Sequence, residues 1–225
     1  MLHRQYDAAN MGRRNEHSRD ELKDLALRAA ADIVGESGAA ALSMREVARR
    51  IGYTVGALYI VFENLDDLIV HANERTVIEL RAALERIRGR VNQPGQSLRL
   101  LVAAYLGFAL LHTARWRLVF EHRLPDGQKA PPTYAGHTAA IFALVSRRLH
   151  EAGVGDRAPS NEVATALWGG VHGICMLAVT GKLQVATQAS VQRLLDVLLD
   201  QFLGADAAPA ARPGKSREGR PRKSR

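Results

Sequence analysis

The sequence predicts an all-α fold, and three observations carry that expectation. Apolar residues recur at helical spacing along most of the chain, with no sustained two-residue alternation to mark a sheet. Side chains that cap helix starts, and glycines or prolines that end helices, fall at the edges of those stretches. Aromatic residues supply only 5% of a composition that is 47% hydrophobic, so the core must rest on Leu, Ala, Val and Ile, which suits packed helices. A chain of 225 residues has room for one sizeable domain, or a small one joined to a larger one.

Residues 1–17 are polar and irregular and read as a flexible arm, with Met11 a second candidate start beside Met1. From Ser18, which has Glu21 at capping-box spacing, the stripe Leu22, Leu25, Ala26, Ala29, Ala30, Ile33, Val34 predicts a helix ended by Gly35 or Gly38. Ser43 and Glu46 repeat the capping box before Val47, Ala48 and Ile51, with Gly52 as C-cap. A short helix is expected from Val55 to Phe62. Asn64 and Asp67 then open a long one reaching about Arg90.

Pro94-Gly95 breaks the chain before an apolar helix from about Ser97 to Leu111, followed by a short one from Trp116 to Glu121. Pro131-Pro132 precedes a helix from Thr133 to about Glu151, ended by Gly153 and Gly155. Ser160 to about Thr180 and Ser190 to Leu203 complete a set of about nine helices.

Charge by itself identifies no partner. The net charge is +8, but Arg212 to Arg225 holds seven basic residues against Glu218 alone, so the body is nearly neutral. The single cysteine, Cys175, leaves no intramolecular disulfide and fits a reducing compartment. The first residues lack the apolar stretch of a signal peptide, and the longest apolar run, Leu100 to Leu111, is short of the roughly 20 residues needed to span a bilayer. A cytoplasmic protein with no membrane partner is expected.

The informative stretch is residues 43–68. Two short capped helices around a glycine turn form a helix-turn-helix, whose second helix can lie in a DNA major groove. Ser43, Val47, Ala48, Gly52, Thr54, Gly56, Leu58, Tyr59, Phe62 and Leu68 together resemble the DNA-binding domain of the TetR family, over roughly residues 18–70. The resemblance implies a regulator that binds double-stranded DNA as a homodimer, usually a repressor on a palindromic operator.

Roles follow from chemistry. Thr54 either caps the recognition helix or reaches a phosphate, and Arg45 can reach a guanine edge or a phosphate. Val55 and Ala57 can meet a thymine methyl, and Gly56 can let the backbone approach DNA closely. Tyr59 either places its hydroxyl on a phosphate or packs its ring, whereas Leu58 and Phe62 are core. Arg13 and Arg14 of the arm can enter a minor groove. Arg49 and Arg50 are phosphate anchors or plain surface charge. Two departures stand out: Ile60 and Val61 replace a common His, and Leu65 replaces a common Lys.

Farther along, Trp168, His172 and Gly173 resemble the Trp-His-Gly arrangement of one TetR subgroup. The resemblance implies a C-terminal domain that binds a small effector and pairs through its last two helices, near 160–180 and 190–203. Candidate pocket residues are Tyr105, Phe108, Leu111, Trp116, Phe120, Phe142, Trp168 and Met176, with His112, His122, His137 and His172 as polar candidates. Each aromatic is either plain core or pocket lining on sequence grounds, and His172 either makes a structural hydrogen bond or touches ligand. The domain plan is then an arm at 1–17, a helix-turn-helix domain at 18–64, an effector and dimerisation domain at 65–204 and a disordered basic tail at 205–225.

Catalysis finds no support. The sequence has no His-Glu-x-x-His, no clustered Cys/His spacing, no glycine-rich phosphate loop and no nucleophile elbow, so no metal or cofactor is expected. The rival is an effector-independent architectural DNA binder, which the basic tail favours slightly.

Overall fold

A computed structural model describes residues 18–87, 94–125, 130–154 and 160–204. Among the described residues there are ten α-helices and no strand. They are α1 (Arg19–Ser37), α2 (Met44–Ile51), α3 (Val55–Leu58), α4 (Leu65–Glu85) and α5 (Pro94–Leu111), then α6 (Thr113–Glu121), α7 (Pro132–Glu151), α8 (Ser160–Val179), α9 (Leu183–Ala186) and α10 (Val191–Gly204). The one-turn α9 and a 3-10 turn at Ala39–Ala41 are additions to the sequence reading, being too short to show a period.

The predicted caps explain the starts of the first four helices. Ser18 and Glu21 form a complete capping box, while the Ser43, Thr54 and Asn64 side chains each accept the amide N–H three residues on. Gly52 ends α2 in the left-handed region at φ 74°, a conformation that a side chain would strain. Regular helix in α3 covers only four residues, shorter than predicted, and continues to Phe62 as looser turns. Gly56 and the β-branched pair Ile60-Val61 are weak helix formers, which accounts for the shortening.

Two apolar cores result. The first joins α1, α2 and α3 to the start of α4 through Ala26, Ala30, Ile33, Val47, Leu58 and Phe62, with Leu68 beneath them. The second joins the rest of α4 to α5, α7, α8 and α10, with Leu98, Leu149, Leu167, Leu195 and Leu199 at its centre. Burying each such leucine contributes about 1.5–3 kcal/mol. Helix α8 is long and apolar enough to cross a membrane by length and composition, with a mean hydropathy of 1.4. Here it packs against α5, α7, α9 and α10 of its own chain.

Among the described residues, Leu118 of α6 is the one from the second half that is buried in the first core. Arg99 ties α5 to α10 through Asp196 and Asp200. Leu198 sits so close to Gly170 that a Cβ there would lie 2.8 Å from its methyl, so α8 and α10 pack through that glycine.

Candidate functional site

The helix-turn-helix places its candidate residues on one outer face. Gly52-Tyr53-Thr54 turns the chain between α2 and α3, and the Thr54 hydroxyl accepts the Ala57 amide at 3.2 Å, so in the free chain it is a cap. Tyr59 is 55% exposed, which removes core packing as the role of its ring. Leu58 and Phe62 are buried, whereas Val55 and Ala57 are half-buried and Gly56 is exposed. A Cβ on Gly56 would meet only the Thr54 hydroxyl, at 3.8 Å, so nothing within the chain requires glycine there.

The nearby arginines differ in their commitments. Arg49 forks onto Glu46 at 2.6 and 2.8 Å, and Arg50 reaches Glu36 at 2.8 Å. Each pair holds its carboxyl below the ordinary value, chiefly through the hydrogen bond. Arg45 is exposed and has no acidic partner among the described residues. Arg13 and Arg14 lie outside the described residues.

In the second half, a cavity of about 250 Å³ opens between α4, α5, α6, α7 and α8. Tyr105 and Phe108 of α5, Trp116 and Phe120 of α6, Phe142 of α7 and Trp168 of α8 line it, as do Tyr134, Thr138 and Ile141 of α7. The sequence reading had not singled out Thr76, Val77 and Leu80 of α4 or Val119 of α6, which complete the wall. A helical stripe facing a cavity has the same spacing as one facing core, so periodicity carries no signal for them. Tyr134 could have been found, because seven of the chain's twelve aromatic residues converge here.

The remaining pocket candidates lie elsewhere: Leu111 is exposed, and the His137 ring meets Arg81 at 3.3 Å. His172 stands behind the wall, its ring 4.3 Å from Phe120, 5.0 Å from Trp116 and 5.1 Å from Trp168, measured between ring centres. Its Nδ1 shares a 2.9 Å hydrogen bond with the Tyr105 hydroxyl, and burial lowers its pKa so that the neutral ring is favoured. His112 lies at the α5–α6 corner, 2.8 Å from Arg115, and is held below its ordinary pKa by burial and then by that guanidinium. His122 ends α6, 3.5 Å from Asp66, and Met176 packs on the second core.

Polar atoms in the cavity wall are few. The Tyr105 hydroxyl is raised well above its ordinary pKa by burial, and Thr76 and Thr138 donate to carbonyls of their own helices. The indole N–H groups of Trp116 and Trp168 are directed at the Tyr105 hydroxyl and oppose that rise, though the buried Trp116 nitrogen does not reach full hydrogen-bond geometry. Cys175, buried in the adjoining core, has its thiol pushed up to about 12. Among the described residues no three His, Cys, Asp or Glu side chains gather where a metal could sit.

Helix α6 connects the two candidate sites. Trp116, Val119 and Phe120 face the cavity, while Leu118 enters the first core and Ala114 packs on it. The Asn73 amide donates to the Leu118 carbonyl at 3.3 Å and fastens α6 to α4.

Comparison with known proteins agrees with this architecture. Residues 26–72 match the family described as "Bacterial regulatory proteins, tetR family", and residues 98–202 match "Tetracyclin repressor-like, C-terminal domain". A protein with unknown function from Rhodococcus sp. RHA1 shares the fold at TM-score 0.71 and 25% identity, over 87% of this chain and 99% of that one. A TetR-like transcriptional regulator from the same organism aligns at TM-score 0.57 and 19% identity, over 84% of this chain and 96% of that one. A TetR family transcription regulator from Marinobacter aquaeolei VT8 gives TM-score 0.60 and 18% identity, over 81% and 96% of the two chains. With two family matches that together take in more than half of its length, a helix-turn-helix at the expected place and a helical body behind it, this chain belongs to the TetR family of DNA-binding transcriptional regulators.

Proposed function

We propose that this regulator is a cytoplasmic repressor, working as a homodimer on a palindromic operator and released when a small effector fills the aromatic cavity. The observation that carries this reading is the double membership of α6, one face on the cavity and Leu118 in the core beneath the recognition helix. An occupant pressing on Trp116 or Phe120 must move α6, and α6 cannot move without disturbing Leu118 and its Asn73 clasp. Two recognition helices held at a fixed separation read two half-sites, so a shift transmitted to either weakens both contacts.

On DNA, Arg45 is the side chain best placed to reach a base edge or phosphate, because its neighbours Arg49 and Arg50 are already paired. Thr54, Val55, Gly56, Ala57 and Tyr59 form the surface that enters the groove, and Arg13 and Arg14 follow the minor groove. The Trp168-His172-Gly173 arrangement supports the Trp-His-Gly subgroup, since the two rings stack and hold Tyr105 in the cavity wall. Dimerisation uses the outer faces of α8 and α10, where Leu177 and Val197 are exposed. The domain plan of 18–64 and 65–204 divides the labour accordingly, with the start of α4 and Leu118 lent by the larger domain to the first core.

The test is footprinting of the purified protein on fragments of its genome. The expected result is protection of one or a few near-palindromes with half-sites about one turn of DNA or somewhat more apart. Uniform coating of DNA at all sites would favour an architectural role instead.

A further inference from the structure

We propose that the effector is elongated, with a ring in the large cavity and an unbranched alkyl tail of about four carbons that reaches a second, smaller chamber beyond it. The inference deepens the effector reading above and rests on it. The second chamber, of about 50 Å³, lies between α4, α5, α7 and α8. Tyr105, Ile141 and Trp168 line both spaces, so the two meet at those three residues.

The smaller chamber is walled by aliphatic side chains, among them Leu84, Leu98, Leu101, Val102, Leu167 and Val171, each no more than 6% exposed. Among the described residues no charged side chain lines it. At the passage the polar atoms turn on one another. The Trp168 indole N–H is directed at the Tyr105 hydroxyl, which shares a hydrogen bond with His172 at 2.9 Å. Water finds no partner among the aliphatic side chains beyond, and a space of this kind stays dry. Protein interiors are otherwise close-packed, so apolar atoms that enter it gain contacts the empty wall lacks.

Size decides what each space takes. An apolar cavity of about 150 Å³ holds a benzene ring. The large cavity exceeds that at about 250 Å³, and seven aromatic side chains in its wall offer a ring edge-to-face packing. On the same scale the small chamber has room for a third of a ring, roughly two carbons, and about two more would span the passage. An unbranched chain is the narrowest group that can thread between Tyr105, Ile141 and Trp168. A branched group of the same mass presents its full width at the first carbon and is held back in the large cavity.

The experiment is calorimetric titration of the full chain, without DNA, by 4-alkylphenols. Their chains are methyl, ethyl, n-propyl, n-butyl, n-hexyl and n-octyl, with 4-tert-butylphenol as the branched comparison. Affinity should rise about fourfold per added carbon as far as n-butyl and then level off, since later carbons find no apolar space. The n-butyl compound should bind about tenfold more tightly than its tert-butyl isomer. In Val171→Phe, which fills the small chamber, the break should move down to ethyl, while 4-methylphenol keeps its affinity within about threefold. Leu101→Phe should give the same result from the α5 side. The comparison of the two butyl isomers on the wild type stands even if neither variant folds. Equal binding of the isomers, a rise that continues unbroken to n-octyl, a break unmoved in a folded variant, or no binding by any of the phenols would each overturn the inference. Failure of the effector reading looks different. If 4-n-butylphenol binds with this length dependence but leaves an operator complex intact, the inference stands and that reading falls, whereas release by phenols that show no break does the reverse.

Discussion

Gly56 stands on an exposed turn of a short helix where a Cβ would make only an ordinary contact with the Thr54 hydroxyl, so its presence weakens the helix without any return inside the protein. Gly56→Ala should raise helix stability by up to about 1 kcal/mol while lowering operator affinity, a split that melting curves and anisotropy titrations would show together. If affinity is unchanged, the backbone at this position does not approach DNA. Thr54→Ala should lose on both counts, with about 1 kcal/mol of stability going with the cap. Arg45→Ala should cost about 1–3 kcal/mol of specific binding, as for one good base contact. Deeper in the chain, His172 and His112 both have folded pKa values below the ordinary 6.5. Folding therefore favours their neutral forms. The stability they contribute is complete above that pH and is lost as pH falls through the folded values. Melting temperatures should drop below about pH 6.5, and His172→Gln should flatten part of that drop. The aromatic spacing marked Trp168 and His172 as neighbours on one face, yet only packing could reveal that the imidazole supports Tyr105 from behind and leaves the wall itself to the larger rings.

At the scale of the helix, most boundaries were legible because caps and glycines are local chemistry. Ser18, Ser43, Thr54 and Asn64 each act where the spacing put them. What a helix packs against was not legible. The last helix carries apolar residues over so wide an arc that sequence could assign the whole arc to a partner subunit, but Leu195 and Leu199 are buried within the protomer, at 0% and 1% exposure. Only the flank with Val197 remains open, and α8 likewise exposes Leu177. A partner surface should therefore be probed there. Val197→Lys combined with Leu177→Lys should give folded monomers by sedimentation at micromolar concentration, with DNA binding reduced because one half-site alone is held. Leu195→Lys should instead unfold the protomer, since it buries a charge without a counterpart. If the double variant stays dimeric, the interface lies on other faces.

For the molecule as a whole, the basic residues between Arg212 and Arg225 dominate a net charge that the body scarcely shares. Attraction of this kind acts on any phosphate chain and carries no base information. Removing residues 212–225 should weaken binding to all DNA and flatten its dependence on salt, with the ratio of operator to random-site affinity nearly unchanged. A change in that ratio beyond about tenfold, read by titration at several salt concentrations, would mean that this segment reads sequence. The class of fold was fully legible, because helical period and low aromatic content are properties of the chain itself. The cavity was half legible. Aromatics such as Phe108 and Phe142 drew notice by type, whereas Val77 and Leu80 are ordinary helix residues whose role depends on what the other helices leave unfilled.

Leu118 also sets a rule for recombination. The socket it fills is built from the DNA-reading half, but the plug comes from a helix more than forty residues further along the chain. A hybrid joined just after α4 would carry that socket into a foreign body and leave it open to water unless the new body offers a matching side chain. Working chimeras of this regulator should therefore be those that transplant α6 together with the first four helices, or that choose a recipient with a leucine-sized residue at the corresponding turn.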